Sequence, residues 1–190
     1  MKGEKNVPNE EKPRALSIQA DIRTVVFDLD GTLYDKRGLN GRMVLCLWWC
    51  LPLLILDRCA KGALWRWVIG TGWHRKVFLP TMVWLIDRHY SVRPEAHQLL
   101  HLCRKRGLQT AVYSDYSMVR EKLDALCIDA NQFDLLVSSP ELGDKKPSKA
   151  CVEEVLRRLN ATPETTLFVG DREEKDGESA RRVGARFLKI

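Results

Sequence analysis

Two aspartates, Asp28 and Asp30, are the residues of this sequence whose type and spacing most clearly suggest chemistry. They follow the apolar run Val25–Phe27, which has the composition of a buried parallel strand. Residues two apart on an extended chain project to the same side, so both carboxylates can face one pocket at the end of that strand. Neighbouring carboxylates are unfavourable unless a cation neutralises them or one keeps its proton. The pair therefore predicts a magnesium site or a nucleophile beside a general acid, with a plain Asp-Gly turn as the alternative.

Polar side chains also appear at three later points of the chain, where predicted strands end or loops connect them. Ser114 ends an apolar segment and has a hydroxyl that can donate to a phosphoryl oxygen. Lys146 precedes a proline in a loop, Asp171 follows another apolar strand, and Asp176 lies five residues further on. Each of these alone is more typical of a turn or a solvated loop. Together they indicate one site, because the carboxyl ends of parallel strands meet at one edge of a sheet.

The body of the chain alternates apolar strands with amphipathic helices. Strands are predicted at 25–27, 108–113, 133–137, 166–169 and 187–190. Between the first two, residues 94–106 have apolar or small side chains at helical spacing and are followed by Gly107, a typical helix end. This alternation predicts an α/β fold, with a Rossmann-like parallel sheet, right-handed crossovers and flanking helices.

Residues 34–89 differ from the rest of the chain in composition. They contain nine Lys or Arg and three Asp, so their net charge of +6 equals that of the whole chain. All six tryptophans also lie in this segment. Pro52, Pro80 and a Gly-Thr-Gly loop at 70–72 interrupt apolar runs that otherwise read as helices. The segment is therefore predicted to be a small, all-helical insertion.

The sequence leaves three interpretations of this insertion open. It can be a cap whose apolar residues form its own core and pack on the body. It can be an interfacial or re-entrant pair of helices in peripheral contact with a membrane through residues 43–86, with Trp at the boundary and Lys or Arg on anionic lipid. Its apolar runs, 43–56 and 77–86, are shorter than the roughly 20 residues of a spanning helix. Nucleic-acid binding has no motif behind it and is not expected.

The remaining features concern domain organisation and location. Residues 1–20 are polar, lack the apolar stretch of a signal peptide and are predicted to be a disordered lead-in. Residues 21–33 and 90–190 are then predicted to form the catalytic core around the insertion. The six cysteines show no CxxC pair and no zinc spacing, so we expect them to be reduced and the protein to be cytoplasmic.

The ordered set of polar residues resembles the four motifs of the haloacid dehalogenase superfamily, in its phosphatase branch. The motifs are DxDGT at Asp28–Thr32, a Ser or Thr after the next strand at Ser114, Lys-Pro at Lys146, and Gly-Asp with a later acidic residue at Asp171 and Asp176. The resemblance extends from about residue 23 to the end of the chain. The insertion occupies the position of the family's helical cap, but the resemblance does not extend to its sequence.

The resemblance implies catalytic and metal-binding roles for four aspartates. Asp28 would be the nucleophile that forms an aspartyl-phosphate, and Asp30 the general acid that protonates the leaving oxygen and then the base that activates water. Mg²⁺ would be held by the Asp28 carboxylate, the Asp30 backbone carbonyl and Asp171. Asp176 would bind the ion directly or orient its waters. Its spacing from Asp171 is at the long end of the family's range, and Glu173 or Glu174 could share that role.

Phosphate binding is implied for Ser114, Lys146, Gly31, Thr32 and Asp115. Two of these positions depart from the family pattern or leave a choice. Asp115 stands where the family often has Asn, which places an extra carboxylate near an anionic ligand. Either Lys145 or Lys146 could be the motif lysine, and Lys146 is preferred because it directly precedes the proline.

The resemblance also favours hydrolysis of phosphate esters within the superfamily. The family's dehalogenases do not use aspartate at the position of Asp30, because they have no leaving oxygen to protonate. Its mutases usually depart from Gly-Thr after the second aspartate, whereas Gly31 and Thr32 are present here. The chain is therefore predicted to be an Mg²⁺-dependent phosphatase acting on a small, lipid-linked or glycosyl phosphate. The alternative is a non-enzymatic scaffold of the same fold, whose hydrophobic, basic insertion docks a partner protein or a membrane surface.

Overall fold

The computed structural model describes residues 18–190. The predicted lead-in, residues 1–20, lies outside the described residues except for its last three. Ile18 is already buried, and the Arg106 guanidinium donates to its carbonyl oxygen at 2.7 Å. The described chain therefore begins as part of the packed body.

Five parallel strands form one sheet. They are β1 (Thr24–Phe27), β2 (Gln109–Ser114), β3 (Leu135–Ser138), β4 (Thr166–Gly170) and β5 (Arg186–Lys189). Their order across the sheet is β3-β2-β1-β4-β5, and every neighbouring pair is parallel. The predicted α/β fold is confirmed, and β1 is its central strand, so the end of β1 lies between the ends of β2 and β4.

Four α-helices occupy the insertion that follows β1. They are α1 (Leu39–Cys46), α2 (Leu51–Cys59), α3 (Gly62–Gly70) and α4 (Leu79–His89). A short 3₁₀ turn at Trp48–Cys50 precedes α2, and a π-helical turn at His74–Phe78 precedes α4. Pro52 lies in the first turn of α2, where a proline removes no helical hydrogen bond, so the predicted break there is a helix start. Pro80 lies where the π-helical turn passes into α4, and the chain is helical on both sides of it, so the predicted break at Pro80 is wrong.

The insertion is attached to the body unevenly. Met43 of α1 and Leu85 of α4 are buried in the main core, whereas the region of α2 and α3 has a separate small cluster of Ala60, Trp65 and Val68. One half of the insertion therefore packs on the body, and the other half has its own small core.

The two ends of the insertion meet at the edge of the sheet. Tyr34 and Val92 form a single antiparallel bridge. Next to it, the Arg93 backbone N–H donates to the Leu33 carbonyl at 2.8 Å. The chain therefore leaves and re-enters the body at one place.

Five further helices cover the sheet. They are α5 (Pro94–Lys105), α6 (Val119–Ala125), α7 (Ser139–Leu142), α8 (Lys149–Leu159) and α9 (Glu178–Val183). Successive side chains of β1 enter different cores, since Phe27 packs with Leu99 and Leu123, whereas Val26 packs in the cluster of Val152. Both faces of the sheet are covered. The carboxyl ends of the strands are therefore the part of the sheet that can form a site.

No single helix within residues 18–190 combines the length and the apolar character needed to cross a membrane. The stretches Leu39–Cys46 and Trp48–Leu56 satisfy that test only when they are counted together, and they meet at an angle of 87°.

Candidate active site

Asp28 lies directly beyond β1, at the centre of the carboxyl edge of the sheet. Its Oδ1 accepts a hydrogen bond from Lys146 Nζ at 2.6 Å, and its Oδ2 accepts one from Thr32 Oγ1 at 2.9 Å. Burial raises the pKa of Asp28 from 3.8 to about 7; Lys146 opposes the rise, and the Asp176 and Asp30 carboxylates add to it. A further cation at this position would therefore stabilise the carboxylate form.

Lys146 connects two of the predicted acidic residues. Its Nζ donates to Asp28 Oδ1 at 2.6 Å and to Asp176 Oδ1 at 2.9 Å. Burial disfavours its charge, but the surrounding carboxylates outweigh burial and raise the pKa of the Lys146 ammonium. Lys145 instead has its Nζ 4.9 Å from the ring centroid of Trp65 in the insertion. Of the two candidate lysines, Lys146 is the one that contacts Asp28.

The Asp30 carboxylate is held by three side chains. Tyr34 Oη donates to Oδ1 at 2.7 Å and Ser114 Oγ donates to Oδ2 at 2.9 Å. Lys122 Nζ contacts both oxygens, at 2.9 and 2.8 Å. Burial raises the pKa of Asp30, but Lys122 and the two hydroxyl donors outweigh burial and lower it. These contacts therefore favour the carboxylate form of Asp30, which is the form that accepts a proton.

Asp28, Asp171 and Asp176 form a group that fits a metal ion. One carboxylate oxygen from each lies within 4.8 Å of the others. Asp171 Oδ1 is buried and accepts no hydrogen bond, and carboxylate oxygens are the donors that Mg²⁺ prefers. Lys36 Nζ contacts the Asp30 backbone carbonyl at 2.5 Å and Asp171 Oδ2 at 2.8 Å, so these two predicted ligand atoms are also neighbours. All four residues predicted to bind metal are thus brought together.

Thr32, which follows the two aspartates, and Ser114, the last residue of β2, hold the carboxylates. The Thr32 and Ser114 side chains are fully buried, and their hydroxyls donate to Asp28 and Asp30 respectively, rather than into the open cavity. Gly31 has a φ of +109°, and a Cβ at this position would lie 2.6 Å from an Asp171 oxygen. The backbone there accepts glycine and no larger residue without strain.

Asp115, the departure from the family pattern, is surrounded by positive charge. Its Oδ2 accepts a hydrogen bond from Lys175 Nζ at 2.7 Å and lies 3.6 Å from the Arg172 guanidinium. Its Oδ1 accepts from the Lys146 backbone N–H at 3.3 Å and from Ser139 Oγ at 3.2 Å. Burial raises the pKa of Asp115, but Lys146, Lys175 and Arg172 outweigh burial and lower it to about 2. The extra carboxylate is therefore neutralised locally.

A cavity of about 380 Å³ opens beside Asp28 and Asp30. The insertion contributes Leu39, Asn40 and Met82 to its wall. Four cationic side chains also line it: Lys36, Lys145, Arg172 and Lys175. This concentration of positive charge around a partly apolar wall suits a phosphate ester whose organic part faces the insertion.

Three contacts of the aspartates come from residues that the motif analysis missed. Lys122 occupies the buried stripe of α6 with Val119 and Leu123, at a spacing where an apolar residue is expected. A lysine in an apolar stripe is a signal that sequence analysis could have used. Tyr34 and Lys36 lie in the connection after β1, and the sequence carries no comparable signal for them.

The end of the central strand carries two aspartates, the loop before α8 brings a lysine to them, and the segment after β4 brings two more aspartates. Carboxylates gathered with a lysine beside a cationic cavity suit phosphoryl transfer. The family model for haloacid dehalogenase-like hydrolases matches residues 74–184. The chain belongs to this family.

Two curated relatives have phosphatase names. A phosphoglycolate phosphatase from Aquifex aeolicus is 29% identical and covers 87% of this chain and 83% of its own length. A phosphoserine phosphatase from Thermus thermophilus is 35% identical, over 53% of this chain and 41% of its own length. The prediction of a phosphoric monoester hydrolase of this family is confirmed.

Solved structures with the same fold include CbbY from Rhodobacter sphaeroides in complex with phosphate, with a TM-score of 0.68, 21% identity, and coverage of 87% of this chain and 84% of that one. An HAD phosphatase from Thermococcus onnurineus has a TM-score of 0.66 and 18% identity, and covers 89% and 86% of the two chains. At these identities the likeness concerns the fold.

Proposed function

We propose that this chain is an Mg²⁺-dependent phosphatase that hydrolyses a phosphate monoester through an aspartyl-phosphate on Asp28. The observation that carries the proposal is the meeting of Asp28, Lys146, Asp171 and Asp176 beside one cavity. These residues come from three separate parts of the chain. Clusters of buried charged side chains are found mainly at functional sites.

The reaction has two steps. In the first, a carboxylate oxygen of Asp28 attacks the phosphorus, and the bond between the phosphorus and the ester oxygen breaks. The leaving oxygen takes a proton from Asp30 and departs as an alcohol. In the second, water attacks the phosphorus of the aspartyl-phosphate and gives a proton to Asp30, which releases orthophosphate and restores Asp28.

The contacts of Asp30 favour its role as a base over its role as an acid. As a carboxylate held by Lys122, Tyr34 and Ser114, it is ready to accept a proton from water. To donate a proton to the leaving oxygen it must be protonated and released from Lys122. We therefore infer that the Asp30 side chain turns toward the cavity for the first step.

Asp28, Asp171 and the Asp30 carbonyl would hold Mg²⁺, and Asp176 would bind it or orient its waters. When bound, the ion neutralises charge on the phosphoryl oxygens and on the carboxylates around them. Lys36 contacts two of these ligand oxygens, so its ammonium would turn toward the cavity, which it already lines.

We assign phosphate binding to Lys146 and Ser114, assisted by the backbone at Gly31 and Thr32. The Ser114 hydroxyl donates to Asp30, so it would have to exchange that hydrogen bond for one to a phosphoryl oxygen. Lys146 also offsets the charge of the carboxylates. Asp115 acts indirectly, because it fixes cations that line the cavity, Lys175 by a hydrogen bond of 2.7 Å and Arg172 by proximity.

Residues 34–89 are proposed to be the cap of a catalytic core made of 21–33 and 90–190. The side chains that this segment adds to the cavity wall support that division, because a cap must touch the substrate to select it. Its basic and Trp-rich composition favours a lipid-linked or glycosyl phosphate over a small polar ester.

The proposal is tested with p-nitrophenyl phosphate in the presence of Mg²⁺, in the presence of EDTA, and with Asp28→Asn. We expect activity that requires both the metal and Asp28, with a loss in the variant of at least about 10³-fold. Asp87→Asn, on the exposed surface of α4, makes the same chemical change elsewhere and should retain activity.

Beryllium fluoride, a phosphoryl mimic, provides a second test that does not depend on accepting p-nitrophenyl phosphate. Wild-type protein should gain thermal stability with beryllium fluoride and Mg²⁺, and Asp28→Asn should not. A chain that shows neither activity nor this stabilisation does not carry the proposed mechanism.

A further inference from the structure

The exposed apolar side chains of this protein are concentrated in the insertion. Within residues 18–190, all ten large hydrophobic residues that are exposed lie between Val44 and Trp84. Leu45 is 76% exposed, Trp48 72% and Trp49 60%. Side chains of this size usually find a partner, and a concentration of them marks an interaction surface.

The two most exposed of these residues, Leu45 and Trp48, lie beside a sharp bend. The helical stretches Leu39–Cys46 and Trp48–Leu56 meet at 87°, and Leu45, Trp48 and Trp49 flank the bend. Both stretches are helical, which pairs backbone groups within each stretch and favours placement in an apolar environment. We call the exposed apolar residues between Val44 and Trp67 the Trp-rich surface.

Positive charge accompanies the Trp-rich surface. Arg42, Lys61 and Arg66 are exposed within or beside it, and Arg75 and Lys76 follow in the π-helical turn before α4. The segment 34–89 contains no glutamate and three aspartates. Exposed tryptophan with surrounding lysine and arginine is the composition of proteins that lie on anionic membranes.

We propose that the Trp-rich surface docks on an anionic lipid bilayer, with Trp48 and Trp49 at the level of the headgroups. The charge selects the partner: the basic residues complement anionic headgroups, and the apolar residues enter the acyl boundary, whereas a second copy of this chain would bring a second set of like charges. The bent helices lie in the interface and do not cross it.

A small apolar recess lies next to the cavity of the active site, and Val44 of the Trp-rich surface is part of its lining. It has a volume of about 110 Å³, and Met43, Val44, Leu54 and Phe78 line it. It shares four lining residues with the catalytic cavity: Leu39, Asn40, Met82 and Tyr116. Resting on the proposed function, the substrate is then a phosphorylated amphiphile, whose phosphate reaches Asp28 while its chain lies in the recess.

Docking is tested by pelleting the full chain with vesicles of phosphatidylcholine alone and of phosphatidylcholine with phosphatidylglycerol. We expect retention on the anionic vesicles and a loss of at least about tenfold in partitioning for the double variant Trp48→Ser, Trp49→Ser. The double variant Trp48→Tyr, Trp49→Tyr should keep most of the binding, because tyrosine also suits the interface.

Charge is tested with Lys61→Glu and, as a matched control, Lys105→Glu on the exposed surface of α5. Only Lys61→Glu should weaken retention, and free inorganic phosphate should not compete with the vesicles. Failure of the wild type to pellet, or equal retention of the Trp→Ser variant, overturns the proposal. Light scattering adds a third such outcome: a dimer that the Trp→Ser variant abolishes would make the surface an interface between copies.

The substrate class is tested with octyl phosphate and ethyl phosphate. The recess predicts a value of kcat/KM at least about tenfold higher for octyl phosphate, since each buried methylene adds favourable transfer free energy. Equal values for the two esters would exclude the recess as a chain-binding site while leaving the phosphatase intact. We expect Asp28→Asn to lose all turnover and still bind the vesicles. That result would show that docking does not depend on catalysis.

Discussion

Two buried lysines approach the paired aspartates from different elements. Lys146 meets Asp28 from the loop before α8, and Lys122 meets Asp30 from α6. Burial of an ammonium group is unfavourable unless a carboxylate of matching geometry accompanies it. Lys146 is shared with Asp176, whereas Lys122 contacts both oxygens of Asp30, so each aspartate has a different lysine as its main partner.

The Lys122–Asp30 pair gives a stability prediction. Lys122→Met leaves the Asp30 carboxylate buried without its cation, and we expect a loss of about 3 to 5 kcal/mol in the free energy of unfolding at neutral pH. Urea denaturation measures it. The double variant Asp30→Asn, Lys122→Met removes both charges and should recover most of the loss. Equal midpoints for wild type and Lys122→Met would mean that the ion pair contributes nothing.

Asp115 gives a pH-dependent prediction. Its pKa is lowered from 3.8 to about 2 in the folded protein, so its contribution, about 2 kcal/mol, is present above pH 3.8 and is lost as the pH falls through 2. Asp115→Asn should therefore be less stable than wild type at pH 6, and the difference should narrow toward pH 2. Unfolding curves recorded from pH 2 to pH 6 test this, and a difference that does not change with pH would contradict it.

At the scale of elements, the ends of the strands control how closely the carboxylates approach. Gly170 is the last residue of β4, and a Cβ there would collide with the Asp176 side chain. The π-helical turn Glu173–Gly177 carries Asp176 back over the strand that it follows. The turn can approach the end of β4 this closely because Gly170 has no side chain.

Gly170→Ala should displace Asp176 and lower phosphatase activity by at least about tenfold, because one of the proposed metal-binding residues moves. Gly41→Ala on α1, where no atom lies within 4 Å of the added Cβ, is the control and should keep activity. Thermal melts show whether Gly170→Ala is folded. Full activity in a folded Gly170→Ala protein would mean that the position of Asp176 is not critical.

Apolar runs and their polar ends were sufficient to predict the sheet and the positions of the motif residues. The strand bounds differ by one or two residues, because hydrogen bonding to neighbours decides where a strand stops and the sequence pattern does not show it. Lys122 was missed because it belongs to no motif and occupies a position of α6 where an apolar residue is expected. The rotation of Thr32 and Ser114 onto the aspartates likewise depends on contacts that form only in the folded protein.

At the scale of the whole molecule, the positive charge of the insertion and the negative charge of the metal-binding cluster lie in different parts of one chain. Residues 34–89 carry the net charge of +6, while Asp28, Asp171 and Asp176 are gathered at the sheet edge. The folded protein therefore has one region suited to anions and one suited to a cation, which lets a charged ester and a metal approach the same cavity.

Mg²⁺ is expected to stabilise the folded chain by mass action, because the three aspartates converge only after folding. At a concentration of about 100 times its Kd, the ion should add about 2.7 kcal/mol to the free energy of unfolding. A thermal melt with Mg²⁺ and with EDTA measures the shift, which Asp171→Asn should remove and Asp87→Asn should leave in place. An unchanged shift in Asp171→Asn would place the ion elsewhere.

The bridge between Tyr34 and Val92 gives the fold a modular construction. The chain leaves the body at Tyr34 and returns to it at Val92. Residues can therefore be gained or lost between these two positions without altering the register of any strand. Natural variation or engineering can therefore replace α2 and α3, which share a small core of their own, and so change the surface that a substrate meets while the strands keep their positions.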